Sequence, residues 1–351
     1  MSGDVGAPPP RANSELIGHE AAEAMLRQLA DSGRLPHALL LSGPRGIGKA
    51  TLAFRLARFV LSGAGEGASA DMFGAAATTA APGLAVAPET GVFRRIAAGG
   101  HADLLTVERA FDPRRRRLRG EIVVDDVREV GSFLHLTSAE GGWRVVLVDG
   151  ADAMNRNAAN ALLKILEEPP RQTLLMLVAH SPGKLLPTIR SRCRQMKLSP
   201  LPDAAVRALL ARYCPDLADD TAATITDLAE GSIGRALELA GSGGIELYQT
   251  IAGMLSRPKL DALALHGFAD KLARADAEDS YRTLEELLAQ HLSRRTTIAA
   301  RAGHGDEAAR WAKVRNEIGE NFARTDGLNL DRKQTILGAF FAIERSMAEA
   351  R

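Results

Sequence analysis

Short apolar runs alternate with amphipathic stretches over the first 200 residues of the chain. The runs end at glycines or charged residues and have the length of buried strands, at residues 37–42, 103–107, 143–149 and 174–179, with a more polar fifth candidate at 194–198. Apolar residues recur at helical spacing over residues 20–32, 50–61, 122–136 and 155–168. Strands that alternate with helices predict an α/β fold, in which helices cover both faces of a parallel sheet.

Beyond residue 202 the pattern is helical throughout. An apolar stripe of Tyr281, Leu284, Leu288 and Leu292 predicts a core or a subunit-packing surface rather than a ligand site. The pattern therefore predicts several regions along the chain. They are a flexible N-terminus (1–13), an α/β domain (14–200) with a flexible Ala/Gly-rich insertion (62–100), a small helical domain (201–241), a glycine linker (241–244) and a C-terminal helical domain (245–351).

Composition narrows the class of protein. The 351 residues carry 44 Lys and Arg against 43 Asp and Glu, which gives no support for wrapping nucleic acid by bulk charge. No apolar run approaches the roughly 20 residues of a membrane span, and no secretory signal is visible, so we expect a cytoplasmic protein. The basic run Arg114–Arg119 is either a phosphate-contacting patch or a solvated loop, and the solvated loop is favoured.

A phosphate-binding loop is predicted between the first strand and the second helix, at Gly43-Pro-Arg-Gly-Ile-Gly-Lys-Ala50. Its glycines let backbone N–H groups surround phosphate oxygens, and Lys49 supplies a positive charge. The position after that lysine normally carries a hydroxyl that binds Mg²⁺, but here it is Ala50, and Thr51 comes one residue late. A loop retained only for its shape and a loop that binds nucleotide are therefore equally plausible.

A second departure follows the strand that ends at Asp149. Such an Asp holds Mg²⁺ in phosphate-loop enzymes, and hydrolytic members carry a Glu directly after it, where this chain has Gly150. Asp152 is interpreted as a cap of the following helix. Because a general base alone contributes about 10²–10⁴-fold to a rate, the two defects argue against an ATPase that works alone.

The motifs together resemble a family. The phosphate loop, Val148-Asp-Gly-Ala-Asp152, the segment from Asn157 through Leu166-Glu-Glu-Pro-Pro170, and Ser191-Arg-Cys193 are similar to bacterial clamp-loader subunits of the AAA+ class. The resemblance covers about residues 14–240 and implies an AAA+ domain, a helical lid and a helical collar. It also implies a ring with the delta and tau/gamma subunits of DNA polymerase III, which loads the sliding clamp onto primed DNA with ATP.

The resemblance assigns roles to particular residues. Arg192 would act in trans, as an arginine finger on the γ-phosphate bound by a neighbouring subunit, although an ion pair within the chain is the alternative. Arg235 would contact a nucleotide from the lid or only bridge lid and base domain. If the site is occupied, the nucleotide-binding residues would be Gly43, Arg45, Gly46, Gly48, Lys49, Thr51, Asp149 and Arg235.

Two further expectations concern metal and alternative activities. Some members of the family carry a cysteine zinc module after the first helix of this domain, but residues 62–101 contain no cysteine, so we expect no zinc. Cys193 is interpreted as a small buried residue rather than a nucleophile. The main alternative is an ATP-hydrolysing clamp-loader subunit of the tau/gamma type or a related replication ATPase, and a scaffold with no nucleotide role ranks third.

Overall fold

The computed structural model describes residues 6–63, 83–112, 117–140, 142–241, 243–257 and 259–348. The chain divides into two compact units, Met1–Leu237 and Glu238–Arg351. The division falls within one helix, Ile233–Gly241, whereas the sequence pattern predicts boundaries near residues 200 and 241. A separate helical lid over residues 201–241 stays a prediction.

A parallel sheet lies at the centre of the first unit, and within the described residues it has five strands. Their order across the sheet is β2-β5-β6-β1-β7, so β1 lies between β6 and β7. All five were predicted at these places, which confirms the α/β class. Two shorter strands, β3 and β4, pair with each other in a separate antiparallel sheet. The strands in chain order are β1 (Ala38–Ser42), β2 (Leu104–Val107), β3 (Phe111–Asp112), β4 (Arg117–Leu118), β5 (Arg144–Asp149), β6 (Thr173–Ala179) and β7 (Arg194–Lys197).

Helices follow most of these strands, as expected when parallel neighbours need long crossover connections. The last helix that begins in the first unit, α9, continues into the second unit. The helices that begin in the first unit are α1 (Glu20–Asp31), α2 (Lys49–Leu61), α3 (Gly91–Ala97), α4 (Val124–His135), α5 (Arg156–Glu167), α6 (Pro187–Arg192), α7 (Asp203–Tyr213), α8 (Asp219–Ala229) and α9 (Ile233–Gly241).

Alternate residues of the central strands enter two separate hydrophobic cores, one on each face of the sheet. In β1, Leu39 and Leu41 belong to the core that α1 and α2 cover, whereas Leu40 belongs to the core under α4 and α5. Because both faces are covered, β1 and β6 are buried at every position. This burial explains why these strands read as continuous apolar runs rather than as alternating ones.

The termini of α5 follow from its sequence. The Asn155 side chain accepts a hydrogen bond from the Ala158 N–H at 2.9 Å, which satisfies one of the free donors of the first turn. The helix ends at Glu167, two residues before Pro169, because proline restricts the residue before it and lacks an N–H. The predicted bounds, 155–168, agree with this helix to within one residue.

Two segments expected to be flexible make specific contacts where the structure describes them. In the N-terminal segment, the backbone carbonyls of Arg11 and Asn13 accept hydrogen bonds from Arg58. In the predicted insertion, Leu84 is fully buried and α3 packs Phe93 and Ile96 inward. Apolar side chains among the alanines provide this order, so the predicted insertion is too long. Residues 64–82, and Arg114 to Arg116 of the basic run, lie outside the described residues.

The second unit is helical in its described part, as predicted. The stripe of Tyr281, Leu284, Leu288 and Leu292 is buried, and the Tyr281 ring stacks on Phe322 at 5.0 Å, so the stripe is core. None of the described helices in either unit is long and apolar enough to cross a membrane. The helices here are α10 (Gly244–Leu255), α11 (Ala262–Leu272), α12 (Glu278–Arg301), α13 (Gly305–Leu328) and α14 (Arg332–Ala348).

Candidate functional site

The predicted phosphate loop connects the carboxyl end of β1 to the first residue of α2, Lys49. Gly46 has a φ of +74° and Gly48 a φ of +101°, values that side chains with a Cβ rarely adopt. A Cβ on Gly46 would lie 2.3 Å from the Ser232 hydroxyl. The loop therefore needs glycine both for its backbone conformation and for its close contact with the segment before α9.

Contacts from two other elements hold the carbonyl groups of this loop. The Gly234 N–H donates to the Gly46 carbonyl at 2.9 Å, at the start of α9. The buried His19 ring nitrogen Nε2 lies 2.6 Å from the Ile47 carbonyl oxygen. The loop is thus fixed from outside, which prepares its shape before any ligand arrives.

Lys49 is almost fully buried beneath the loop that precedes it. Its Nζ donates to the Gly43 carbonyl at 2.8 Å and also to the Pro44 carbonyl. Burial lowers the pKa of Lys49 to about 8, although the carboxylates of Asp149 and Asp152 oppose this shift. The lysine is therefore mostly charged at neutral pH, as a group that binds phosphate must be.

A cavity of about 380 Å³ opens beside the loop. Of the eight predicted nucleotide-binding residues, Arg45, Gly46, Gly48, Lys49, Thr51 and Asp149 line it, whereas Gly43 and Arg235 do not. Gly43 still belongs to the loop, through its bond to Lys49. Sequence reasoning missed a further part of the lining, which is mostly apolar. It comprises Ala7, Pro8, Pro9, Pro10, Asn13, Glu15, Leu16, Ile17, Val178, His180, Leu201, Leu209, Tyr213, Ile233, Gly234 and Leu237.

The acidic side of the site lies at the end of β5. Burial raises the pKa of the Asp149 carboxyl, and the nearby Glu108 carboxylate raises it further, whereas Lys49 has the opposite effect. Glu108 directly follows β2, and Asp149 is the last residue of the neighbouring strand β5. The sequence pattern contained the signal of Glu108, and we missed it. Gly150 follows with a φ of +77° and has no carboxylate to offer.

Asp152 has a different role from the predicted helix cap. Its two carboxylate oxygens accept the backbone N–H groups of His180 at 3.1 Å and Ser181 at 2.8 Å. Although burial favours the neutral acid, these bonds hold the pKa of Asp152 below its ordinary value. Asp152 thus ties the end of β6 to the turn after β5, and Asn155 is the residue that caps α5.

His180 is a polar residue at the phosphate end of the cavity to which the sequence assigned no role. Burial lowers the pKa of its ring, and the positive charge of Lys49 lowers it further. The ring also lines a second cavity of about 770 Å³ on the other side of Asp149, together with Arg45, Arg109 and Lys184. Its signal was present in the sequence, because His180 directly follows the buried strand β6.

The residues present fit a polyphosphate better than they fit a bound magnesium ion. The glycine loop and Lys49 supply the surroundings that phosphate oxygens need. Ala50 supplies no oxygen, and Thr51 lies one position further along α2 with 8% of its surface exposed. Among the described residues, no three His, Cys, Asp or Glu side chains lie where they could hold a metal ion.

Arg192 lies away from this cavity, at the last residue of α6. Its Nη2 lies 2.8 Å from a Glu167 carboxylate oxygen, and its Nη1 donates to the Thr188 carbonyl at 3.1 Å. The Arg192 side chain remains 37% exposed and that of Glu167 50% exposed. Within a single chain, Arg192 therefore makes an intrachain ion pair, which is the alternative to an action in trans. Cys193 beside it is buried, and burial raises the pKa of its thiol to about 11, as expected of a structural cysteine.

Comparison with known proteins identifies the family. The model of the family described as "DNA polymerase III, delta subunit" matches residues 18–202, more than half of the chain. The chain belongs to this family. The match includes the phosphate loop, Asp149 and Arg192, so the resemblance inferred from these motifs is confirmed.

Several relatives are replication proteins by name. The chain is 39% identical to the DNA polymerase III subunit delta' of Pseudomonas aeruginosa, over 63% of this chain and 61% of the relative. It is 31% identical to the delta' subunit of Escherichia coli K12 over 64% and 60%, and 31% identical to the gamma/tau subunit of Mycobacterium tuberculosis H37Rv over 80% and 46%. The matches therefore span less than two thirds of these relatives.

Solved structures give one further similarity. A DNA polymerase III gamma subunit-related protein from Thermotoga maritima is 16% identical, with a TM-score of 0.41, over 92% of this chain and 99% of that one.

Proposed function

We propose that this chain is a delta'-type subunit of the DNA polymerase III clamp loader and that it acts with the delta and tau/gamma subunits, the sliding clamp and primed DNA. On this proposal the chain has an AAA+ domain (14–200), a lid (201–241) and a collar (245–351). The observation that carries the proposal is the combination of an incomplete phosphate site with an exposed Arg192. The names of the delta' relatives support the partners.

The incomplete site supports weak or absent ATP hydrolysis by the chain alone. The loop and Lys49 suit phosphate groups, but Ala50 provides no metal ligand and Gly150 no base. Asp152, the next carboxylate along the chain, is engaged with the backbone of His180 and Ser181. Without these groups, a water molecule in the site would not be activated for attack.

Arg192 supports an action on a neighbouring subunit. A guanidinium stays charged and binds phosphate oxygens through two parallel N–H groups, which stabilises the charge that spreads in phosphoryl transfer. Its present partner, Glu167, is half exposed, and ion pairs of this kind contribute only about 0–1 kcal/mol. A phosphate group from outside could therefore replace this carboxylate at little cost.

One observation favours the second candidate, an ATP-hydrolysing subunit of the tau/gamma type. The gamma/tau relatives match 80% of this chain, a longer stretch than the 63–64% matched by the delta' relatives. Such a subunit would hydrolyse ATP by itself and would not benefit from repair of the two defects.

Single-turnover ATP hydrolysis by the purified chain separates the two candidates. The proposal predicts weak or no hydrolysis by the wild type, and a gain of activity in the double variant Ala50→Thr/Gly150→Glu, which restores the hydroxyl and the carboxylate. Brisk hydrolysis by the wild type would favour the tau/gamma type instead. The purified chain should also assemble with delta and tau/gamma subunits in native mass spectrometry, and failure to assemble would refute membership of the complex.

A further inference from the structure

Two arginines on the inner side of α2 are unusual because they are charged and buried. Arg58 is 1% exposed and Arg55 is 6% exposed. A buried charge is costly unless hydrogen bonds or an ion pair compensate for its lost hydration. The partners of these two side chains therefore indicate what the arginines do.

Both arginines bind the backbone of the N-terminal segment. Arg58 donates from Nη1 to the Arg11 carbonyl at 2.9 Å and from Nη2 to the Asn13 carbonyl at 2.6 Å. Arg55 donates to the Ser14 carbonyl and also pairs with Glu23 at 2.5 Å. The two side chains thus fix three carbonyl groups within four residues of the segment.

Aromatic contact and charge complete the surroundings of Arg58. Its guanidinium lies over the Phe93 ring of α3, 4.6 Å from the centroid. Burial, with a smaller effect from Arg55, lowers the pKa of Arg58 to about 10, so the side chain is still charged at neutral pH. Two carbonyl oxygens and an aromatic face are appropriate partners for such a cation.

The segment that these arginines hold is one wall of the cavity beside the phosphate loop. We call residues Ala7–Ser14 the N-terminal strap; Ala7, the three prolines Pro8–Pro10 and Asn13 line the same cavity as the phosphate loop. Prolines restrict the backbone and offer no N–H. The strap therefore presents a stiff, mostly apolar wall, which suits the uncharged part of a nucleotide better than its phosphates.

One helix carries both the lysine of the phosphate loop and the two arginines that hold the strap. α2 begins at Lys49, which lies at the phosphate end, and carries Arg55 and Arg58 two turns later. We infer that Arg58 and Arg55 are positioning residues which lock the N-terminal strap into the cavity, so that the strap contributes to binding the nucleoside part of a nucleoside triphosphate. This inference relies on the proposed function only for the chemical class of the ligand.

Calorimetric titration of the full chain with ATP tests the inference. We expect Arg58→Met to raise the Kd for ATP by about tenfold, which corresponds to about 1.4 kcal/mol, because the strap loses its anchor. Arg58→Lys keeps the charge and should recover part of the affinity. The triple variant Pro8→Gly/Pro9→Gly/Pro10→Gly loosens the wall without touching the core and should also raise the Kd.

Arg27→Met is the matched control. Arg27 also lies over an aromatic ring, that of Phe59 at 4.6 Å, and also donates to a backbone carbonyl, that of Gly83 at 2.9 Å, but it does not contact the strap. Its Kd for ATP should stay within about twofold of the wild-type value. Hydrogen exchange of the amides at residues 11–15 should rise in Arg58→Met and stay unchanged in Arg27→Met.

A comparison of ATP with inorganic triphosphate distinguishes the loss of the strap from general damage to the phosphate loop. Inorganic triphosphate, measured by competition with ATP, should bind the wild type and the triple glycine variant equally well, because it lacks a nucleoside. The inference is overturned if both strap variants keep the wild-type Kd for ATP, if ATP and triphosphate weaken together, or if the wild type binds no ATP. Should Arg58→Met fail to fold, the triple variant decides. None of these outcomes affects the trans action of Arg192, which is measured in the assembled complex.

Discussion

Lys49 is the residue whose charge state is most sensitive to its surroundings. It is 3% exposed, its Nζ donates to the backbone carbonyls of Gly43 and Pro44, and its pKa is about 8 rather than the ordinary 10.5. The folded protein therefore retains this proton less well than the unfolded chain does. A positive charge at this place has a cost, which a site for phosphate can tolerate because the ligand supplies the missing negative charge.

The lowered pKa of Lys49 predicts a pH dependence of stability. Between about pH 8 and pH 10.5 the unfolded state binds more protons at this side chain, so the free energy of unfolding should rise with pH in this window. Chemical denaturation of the wild type and of Lys49→Met at a series of pH values measures the effect. The free energy of unfolding of the wild type, minus that of Lys49→Met, should increase by about 2–3 kcal/mol across this window. A difference that stays constant across this window would contradict the buried position of Lys49.

Arg192 and Glu167 should matter little to the stability of the isolated chain. Their ion pair is half exposed, so Arg192→Ala and Glu167→Gln should each change the free energy of unfolding by less than about 1 kcal/mol. Urea denaturation of the two variants checks this expectation. A loss of several kcal/mol would mean that Arg192 has a structural role, and its use by a neighbouring subunit would then lose its main support.

At the scale of elements, the phosphate loop depends on the start of α9. A Cβ on Gly234 would lie 2.8 Å from the Gly46 Cα, and the Gly234 N–H donates to the Gly46 carbonyl. Backbone atoms cannot move aside as the end of a side chain can. The loop and α9 are therefore coupled by one glycine from each element.

Substitution of Gly234 tests this coupling. Gly234→Ala should lower the free energy of unfolding by more than about 1 kcal/mol, because the loop and α9 must separate. Gly241→Ala in the same helix is the control, since an added Cβ there meets no atom within 4 Å, and it should be neutral or slightly stabilising. Equal stability of the two variants would show that the contact is not needed.

The elements best predicted from sequence are those with strong periodicity or clear stop signals. The strands of the sheet and helices α2, α4 and α5 were located from apolar runs and from Pro169-Pro170. α3 was missed because it is short and follows an alanine-rich stretch that obscures its two buried residues. The strap was missed because its order comes from Arg55 and Arg58, which lie more than 40 residues away along the chain.

The residues of the candidate site also divide into those that local sequence patterns predict and those that depend on contacts between distant segments. Glycines, Lys49 and Asp149 could be found because each follows or precedes a strand in a known spacing. Glu108 and His180 each directly follow a strand, a signal that was present in the sequence and was not used. The tie between Asp152 and the end of β6, in contrast, required the backbone itself. Local patterns thus predicted the residues of the loop, whereas the apolar half of the cavity depends on contacts between distant segments.

At the scale of the whole molecule, the chain belongs to a DNA polymerase III family, and the role that we propose requires an assembly of several subunits. On the proposal, Ala50 and Gly150 deprive the phosphate site of a hydroxyl and of a base, so this chain alone is not expected to drive work with ATP. An exposed guanidinium with a weakly held partner can serve another chain. The central claim is therefore that Arg192 completes the ATP site of the subunit beside it.

The most direct test is DNA-stimulated ATP turnover by the reconstituted clamp loader that contains Arg192→Ala. We expect turnover at the pocket that Arg192 serves to fall by about 10³-fold or more, the usual contribution of an arginine finger, while the complex still assembles. Arg194→Ala, an exposed arginine two residues further on, should leave turnover unchanged. Wild-type turnover by an assembled Arg192→Ala complex would contradict the account.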